Sequence, residues 1–310
     1  MAFKYIFIVG LSRTGGKWTL HILEQCRERP CAIVTESFFL GRAFRLGVRQ
    51  KMRQIGDMRF DANVCTLVDA MYSGEFGWYG WVKLLERGLR DRHDELLQRV
   101  LASDRSDKAI YQTLLQVQAG DTENAILGDK SGVYLHYVPT LLEWFPEAKI
   151  IHTFRDPRAV LASHHKKLLN KRLGLAGLEK TDLSQVLLLK LPEALFSLLI
   201  VWYVAINWRR AARLHRQYWR LYPENYYLLK YEDLVCKREE SVRGLCSFLG
   251  IEFHELMLEL PPRSHSSFAL EEGGPGFDTR SFTRWQTYLK PWMKNWLSFW
   301  TGSYLSEFGF

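Results

Sequence analysis

The sequence predicts an α/β fold: a parallel β-sheet flanked by helices and carrying a helical insertion. Three observations predict it. Short, near-continuous apolar runs recur along the chain, the pattern of strands covered on both faces. Helix-period segments separate them, as parallel strands require. A block from about residue 40 to 119 holds no strand pattern and is rich in aromatic and charged residues, which reads as the insertion.

Taken in order, "KYIFIVG" (4–10) is the first strand, and the glycine turn "GLSRTGGKWTL" (10–20) leads into a helix over 16–28. "CAIV" (31–34) is the second strand. Inside the insertion, "FGWYGW" (76–81) either lines an apolar ligand pocket or belongs to the core. "NAILG" (124–128) is the third strand, followed by a helix over 133–145. "AKIIHTF" (148–154) is the fourth, followed by a helix over 157–170, for which Asp156 suits the N-cap and Pro157 the first turn. A helical stretch covers 182–220. Its segment "ALFSLLIVWYVAINW" (194–208) imitates a membrane span. It is shorter than the roughly 20 apolar residues that spanning needs. It reads instead as a core helix emerging into the basic half "WRRAARLHRQYWR", with attachment to a membrane through 182–210 as the weaker reading. "NYYLLKY" (225–231) is the fifth strand, followed by a helix over 237–249. "SSFALEEGGPGFDTRS" (266–281) is a Gly-rich loop, and "RWQTYLKPWMKNWLSFW" begins an aromatic C-terminal helix. The aromatics of 292–310 pack on the domain or form a homodimer contact. The whole is read as one domain, 1–310, closed by a lid loop and helix at about 264–310.

Bulk composition narrows the partners. Of 310 residues, 47% are apolar and 25% charged, an ordinary globular balance. The net charge of +8 fits an anionic ligand, nucleic acid or a membrane surface, and the absence of any tract of five or more Lys/Arg makes nucleic acid the weaker reading. The cysteines, Cys26, Cys31, Cys65, Cys236 and Cys246, are odd in number and form no CxxC pair. They are expected to be reduced thiols in a cytoplasmic protein, with a Cys26–Cys31 bridge the weaker option. The N-terminus runs straight into a strand and shows no signal-peptide pattern.

Two turns carry the candidate chemistry. A Walker A loop needs Gly, four residues, then Gly-Lys-Ser/Thr. Here Gly10 and Gly15 have that spacing, but Gly16 delays Lys17 by one place, and Trp18 replaces the hydroxyl that would hold Mg²⁺. Strand, glycine turn and helix still aim backbone N–H groups and a positive helix end at one point, and Arg13 and Lys17 add full charges. The second turn is Arg155-Asp156-Pro157-Arg158 at the end of the fourth strand, with Ser163 eight residues after Arg155. Open α/β sheets bind ligands at such carboxyl ends. The bland alternative for Arg155 is an ion pair with Asp156 or Glu147.

Together these motifs resemble those of the PAPS-dependent sulfotransferases, which use 3′-phosphoadenosine-5′-phosphosulfate. The first family motif, Arg/Lys-Ser-Gly-Thr-Thr-(Trp)-Leu, matches Arg13-Thr14-Gly15-Gly16-Lys17-Trp18-Thr19-Leu20. The second, Arg-Asp-Pro/Gly-Arg with a later Ser, matches Arg155 to Arg158 and Ser163. "FPEAKIIHTFRDPR", "LLKYEDL" (228–234), "SVRGLCSFLGI" (241–251) and Arg284-Trp285 fall in the family's order, so the likeness runs from residue 4 to about 290. It is nearer the tyrosylprotein and bacterial branch than the cytosolic one. It implies a P-loop-like sulfotransferase fold and transfer of a sulfuryl group from PAPS, with PAP as product, to a small-molecule, glycan, lipid or peptide hydroxyl or amine. No metal is implied, since cations and N–H donors can stabilise a less charged sulfuryl group.

The resemblance assigns roles. Arg13 and the backbone of Thr14, Gly15, Gly16, Lys17 and Trp18 would hold the 5′-phosphosulfate, with Trp18 against the adenine. Arg155 and Ser163 would hold the 3′-phosphate, and Tyr231 would touch the adenine. Arg280 and Arg284, in the loop 266–284, would close over the nucleotide. Glu36 would be the base and Lys130 the donor to the leaving oxygen. His136, His152, His164 and His165 are alternative bases, and Asp129 imitates a Walker B acid. The departures are Gly16 and Lys17, where the family usually has Thr. Lys17 would restore charge, and Thr14 or Thr19 a hydroxyl. Two rival readings are a Mg²⁺-dependent kinase or NTPase and a catalytically degenerate nucleotide binder.

Overall fold

The computed structural model describes residues 4–41, 47–73, 89–120, 122, 124–174, 183–259 and 279–310, with the side chains of 183–185, 279 and 280 left out. Its sheet has five parallel strands: β1 (Lys4–Gly10), β2 (Cys31–Thr35), β3 (Ile126–Lys130), β4 (Lys149–Phe154) and β5 (Tyr226–Lys230), in the order β2-β3-β1-β4-β5. The register pairs Ile8 of β1 with Lys130 on one side and Ile151 on the other, so the strands end nearly level. The expected doubly covered parallel sheet is what forms. β1 is central, with Ile6 and Phe7 completely buried. Ile6 joins the core on one face and Phe7 the core on the other.

The helical insertion proves to be the crossover from β2 to β3. Its described part comprises α2 (Val48–Ile55), α3 (Asp61–Tyr72), α4 (His93–Leu101) and α5 (Asp107–Ala119). Val64, Leu67, Leu96, Ile110 and Leu114 join Phe7 and Leu127 in one buried cluster, so these helices build the core of that face. The "FGWYGW" segment lies outside the described residues.

Several boundaries differ from the sequence reading. The first helix, α1 (Gly16–Glu24), stops before residue 28. β3 starts and ends two residues later than expected, because Asp129 and Lys130 continue the strand once Ser37 and Glu36 partner them. A 3₁₀ segment, Gly132–Tyr137, precedes α6 (Val138–Trp144), and the helix after β4 is α7 (Pro157–Arg172). The 182–220 stretch divides at Pro192 into α8 (Leu183–Leu189) and α9 (Glu193–Leu221), since proline removes the N–H that a continuous helix needs. After β5 come α10 (Tyr231–Cys236) and α11 (Arg238–Leu249). The C-terminal helix is broken at Pro291 into α12 (Trp285–Tyr288) and α13 (Pro291–Leu305). All five cysteines are free, so no Cys26–Cys31 bridge forms. No helix among the described residues is long and apolar enough to cross a membrane.

The candidate bases His152 and His165 are structural. The Nδ1 of His152 meets the Tyr226 hydroxyl, which also meets His215 Nδ1 at 3.2 Å. The ring of His165 bridges Tyr288 Oη at 2.8 Å and Ser197 Oγ at 3.0 Å. Burial holds His152 well below its usual pKa and pushes His165 and His215 down to about 4. Their neutral forms fit the fold, whereas the unfolded chain binds protons below about 6.5. The stability they contribute is therefore full above that pH and is lost as pH falls towards 4. Buried Asp129, raised to about 6, Glu232, raised by burial, and His93, raised by Asp94 and Asp69, have the opposite sign and offset part of this loss. The melting temperature should fall steadily on acidification from about pH 6.5 to about pH 4, less steeply in His165→Gln. A flat profile by calorimetry would contradict buried neutral imidazoles.

Candidate active site

Each of the five strands delivers one chemically useful side chain at or just past its carboxyl end. Across the sheet they run Glu36 (β2), Lys130 (β3), the 11–15 loop (β1), Arg155 (β4) and Tyr231 (β5). The row spans four strand spacings, about 19 Å at about 4.8 Å each.

The loop after β1 needs its glycines. Gly10 has φ of 130°, and a Cβ there would stand 2.3 Å from the Thr153 carbonyl oxygen. Gly15 has φ of 106°, and a Cβ would press on the Tyr231 ring at 3.0 Å. Arg13 also takes a positive φ, 77°, which costs a non-glycine residue on the order of 1–3 kcal/mol. The turn is held from beneath. Thr14 Oγ1 lies 2.6 Å from the Leu11 carbonyl, to which it donates, and 2.8 Å from Thr153 Oγ1. Thr14 and Thr19 are both buried, and Thr19 Oγ1 turns back to Gly15 O at 3.4 Å. Neither hydroxyl is thus presented outward to replace those missing at Gly16 and Lys17. Lys17 itself is exposed at the start of α1. At Gly16 there is room for a side chain, whose Cβ would meet only Ile8 at 3.6 Å and the Lys130 stem at 3.8 Å.

Arg13 and Arg155 form one cationic centre. Arg13 Nε donates to Ser163 Oγ at 2.9 Å, and Arg155 donates to the Arg13 carbonyl at 3.1 Å. Arg155 stacks 4.0 Å over the Tyr231 ring and donates to the Ser281 carbonyl, while Tyr231 Oη lies 3.0 Å from Ser281 Oγ. The alternative ion pair with Asp156 does not form, because Asp156 caps α7 and pairs with Arg158 at 2.7 Å. Burial, then the charge of Arg155, pushes Arg13 down to about 10. The carboxylate that feels Arg155, Glu232, is itself pushed up by burial and accepts from the Asp156 N–H. Arg155 Nε is buried with no hydrogen-bond partner among the described residues. Trp18 is buried, edge-on to Tyr231 at 5.7 Å and beneath Arg238.

At the other end Lys130 Nζ lies 3.4 Å from Glu36 Oε1, and Glu36 N donates to the Lys130 carbonyl at 3.1 Å. Lys130 therefore pairs with Glu36 and not with Asp129. Glu36 caps no helix, since α2 begins at Val48 after Gly47. Glu36 and Phe38 have positive φ, 58° and 52°, and Ser37 between them is anchored inward. Ser37 Oγ donates to Asp129 Oδ2 and meets Tyr134 Oη at 2.9 Å, and Tyr111 Oη donates to the same carboxylate oxygen at 3.4 Å. Asp129 is fully buried in this cluster, its Oδ2 held by Ser37 and Tyr111 and its Oδ1 without a hydrogen-bond partner among the described residues. Sequence reasoning missed Ser37, Tyr111, Tyr134 and Ser281, and no motif marks them. His164 is also engaged: its Nε2 meets the Ser12 carbonyl at 3.2 Å, and burial with Arg13 and Lys167 pushes it down to about 3. His136 is lowered by burial and Arg210. Arg284 precedes α12, and Arg280 belongs to the short turn Thr279–Phe282, its side chain outside the described set. Most of the 266–284 loop also lies outside it.

A glycine turn at a parallel sheet edge thus carries two neighbouring guanidinium side chains, Arg13 and Arg155. A model of the sulfotransferase family matches residues 5–255, and the chain belongs to that family. The sulfotransferase domain from the curacin biosynthetic pathway is 18% identical with a TM-score of 0.57, covering 97% of each chain. The sulfotransferase domain from the Synechococcus PCC 7002 olefin synthase is 17% identical with a TM-score of 0.52, covering 97% of this chain and 94% of the other. These two likenesses carry the fold. An uncharacterized protein of Aquifex aeolicus (strain VF5) is 25% identical over 172 residues, and this chain spans 20% of its length.

Ser37→Ala would leave Asp129 and Tyr134 each short of a buried partner. We expect a loss of about 1–3 kcal/mol in denaturant unfolding. An unchanged midpoint would show that the cluster does not clamp the Glu36 turn.

Proposed function

We propose that the chain moves the sulfuryl group of 3′-phosphoadenosine-5′-phosphosulfate to a hydroxyl or amine, with Glu36 as base. One observation carries this reading: the Arg13–Arg155 centre and the Lys130–Glu36 pair flank one glycine loop on a single sheet edge. The residues fit the donor. Arg155 Nε is a buried N–H lacking a partner among the described residues, and a phosphate oxygen would supply one. Arg13, Arg155 and Ser163 would hold the 3′-phosphate together, so Arg13 serves this end more than the resemblance alone implies. Backbone N–H groups from Thr14 to Trp18, with Lys17, would face the 5′ end, as helix N-termini suit anions. Tyr231, Trp18, Arg280 and Arg284 would enclose the nucleoside.

When bound, the donor supplies the activated sulfuryl group. Glu36 removes the acceptor's proton, and Lys130 moves from Glu36 Oε1 towards the oxygen on which charge develops. The pair thus releases a base and a cation at one point. Asp129 is committed to Ser37 and Tyr111, and Trp18 stands where Mg²⁺-dependent loops carry a hydroxyl, which favours this reading over a kinase or NTPase. A degenerate binder gains support from Gly16 and Lys17, and only turnover separates it from an enzyme. The acceptor, small molecule, glycan, lipid or peptide, is not selected by these residues. A cytoplasmic location is part of the proposal.

Calorimetric titration with adenosine 3′,5′-bisphosphate should show binding, weakened on the order of tenfold or more in Arg155→Ala. In a labelled-sulfate assay Glu36→Gln should lose on the order of 10²–10⁴ in turnover with little change in nucleotide affinity. EDTA should leave the rate unchanged. Absence of binding overturns the donor, binding without transfer overturns the enzyme, and full activity of Glu36→Gln overturns the base.

A further inference from the structure

Among the described residues, α9 and α13 leave an apolar face bare, away from the sheet edge. The two helices run side by side in the same direction. Lys290 meets Glu193 at 2.8 Å at one end, and Arg216 pairs with Glu307 at the other. Between them the Trp202 ring lies 5.8 Å from Trp296 and 4.9 Å from Trp300. One side of the pair is core, through Phe196, Val204, Met293 and Leu297. The other exposes Leu199, Ile206, Trp292, Trp296 and Phe299, the last to 80%. Single exposed apolar residues are ordinary, whereas a contiguous run across two helices marks a contact surface.

The charge around this face is one-sided. On α9, Leu195, Leu199 and Ile206 fall on one stripe at helical spacing, and the same stripe continues as exposed Arg210 and Arg213. Arg209 stacks 5.5 Å over Trp300. The acids on or just beyond the two helices, Glu193 and Glu307, are both paired. A second copy docking here would bury arginines against a face that brings no free acid, which is costly. An anionic bilayer suits it better: indole rings favour the membrane–water interface, and arginine stems reach from it to lipid phosphates. An apolar stripe passing into a basic one is the pattern of an interfacial helix.

We propose that the α9–α13 face docks, without spanning, on an anionic lipid bilayer. The orientation has a consequence for the candidate site. Tyr203, 42% exposed, stands edge-on to His164 at 5.8 Å, and His164 touches the Ser12 carbonyl. The docked rim therefore adjoins the first loop and brings the sheet edge to the headgroup layer. The inference rests on the surface alone and not on the donor or the base.

The test is flotation of the full chain with phosphatidylcholine vesicles, with and without phosphatidylglycerol, while following tryptophan emission. Binding with a blue shift is expected for the anionic vesicles only, diminishing at high salt. Arg210→Ala and Arg213→Ala should each weaken partitioning roughly fivefold. Phe299→Ser, at the most exposed position, should reduce binding while its circular dichroism and melting temperature stay at wild-type values. Failure to float with anionic vesicles overturns the proposal. So does sedimentation of the wild type as a dimer that Phe299→Ser dissociates, since a second copy would then cover the face.

Discussion

One arginine ties four distant parts of this chain to a point. Arg155 leaves β4, donates to the backbone of the β1 loop, stacks on the first residue after β5 and donates to Ser281, while its own carbonyl accepts from Trp208 Nε1 of α9 at 2.8 Å. The contacts come from sequence separations that only the folded sheet can close. They fix the glycine loop relative to the C-terminal segment, and so set the shape of the candidate site. Removing the guanidinium would loosen the first three of these positions at once and leave the Trp208 bond to the backbone carbonyl in place, even with the core of each sheet face intact.

That arrangement is electrostatically unfinished. Burying a cation costs free energy unless opposite charge or hydrogen bonds compensate it. Here two buried or half-buried guanidiniums adjoin, each raising the other's cost, and the depressed pKa of Arg13 records it. Carbonyl oxygens, an aromatic face and the nearby Glu232 carboxylate offset part of the penalty, but one carboxylate does not balance two guanidiniums. An anion would complete the balance, and the folded chain already bears the cost of arranging the donors. A few residues along the sheet edge the logic reverses, because Glu36 and Lys130 neutralise each other. Under the proposed function the edge holds a cationic end that a bound anion would balance and a paired end, Lys130–Glu36, that would exchange partners.

What the sequence made legible follows from how local each signal is. The strands were visible because burial on both faces demands apolar residues throughout, and the loops because Gly10, Gly15 and Asp156-Pro157 have few other uses. The end of β3 was not visible, since Asp129 and Lys130 look like loop residues until Ser37 and Glu36, some ninety positions away, are seen to partner them. Positive φ at Arg13, Glu36 and Phe38 left no trace in residue type, because the backbone there is held by tertiary contacts and not by glycine. Histidines read as candidate bases turned out to be bound to Tyr226, Tyr288, Ser197 and the Ser12 carbonyl, partners supplied by other elements. Ser281 lay hidden in a polar loop where nothing distinguished it from its neighbours.

The 194–208 segment shows a deeper limit of reading hydropathy along a line. Its apolar residues look alike in sequence, yet they divide between two environments around the helix. Phe196, Ile200 and Val204 are buried against α7 and α13, whereas Leu199 and Ile206 are exposed. A core helix needs apolar residues on one stripe only, so the inward half explains itself and the outward half does not. The cost of exposing that half is paid in water by the isolated chain and recovered wherever an apolar medium covers it. Residues that packing does not require, standing next to arginines that no acid on that face neutralises, are the part of the sequence that points beyond the fold.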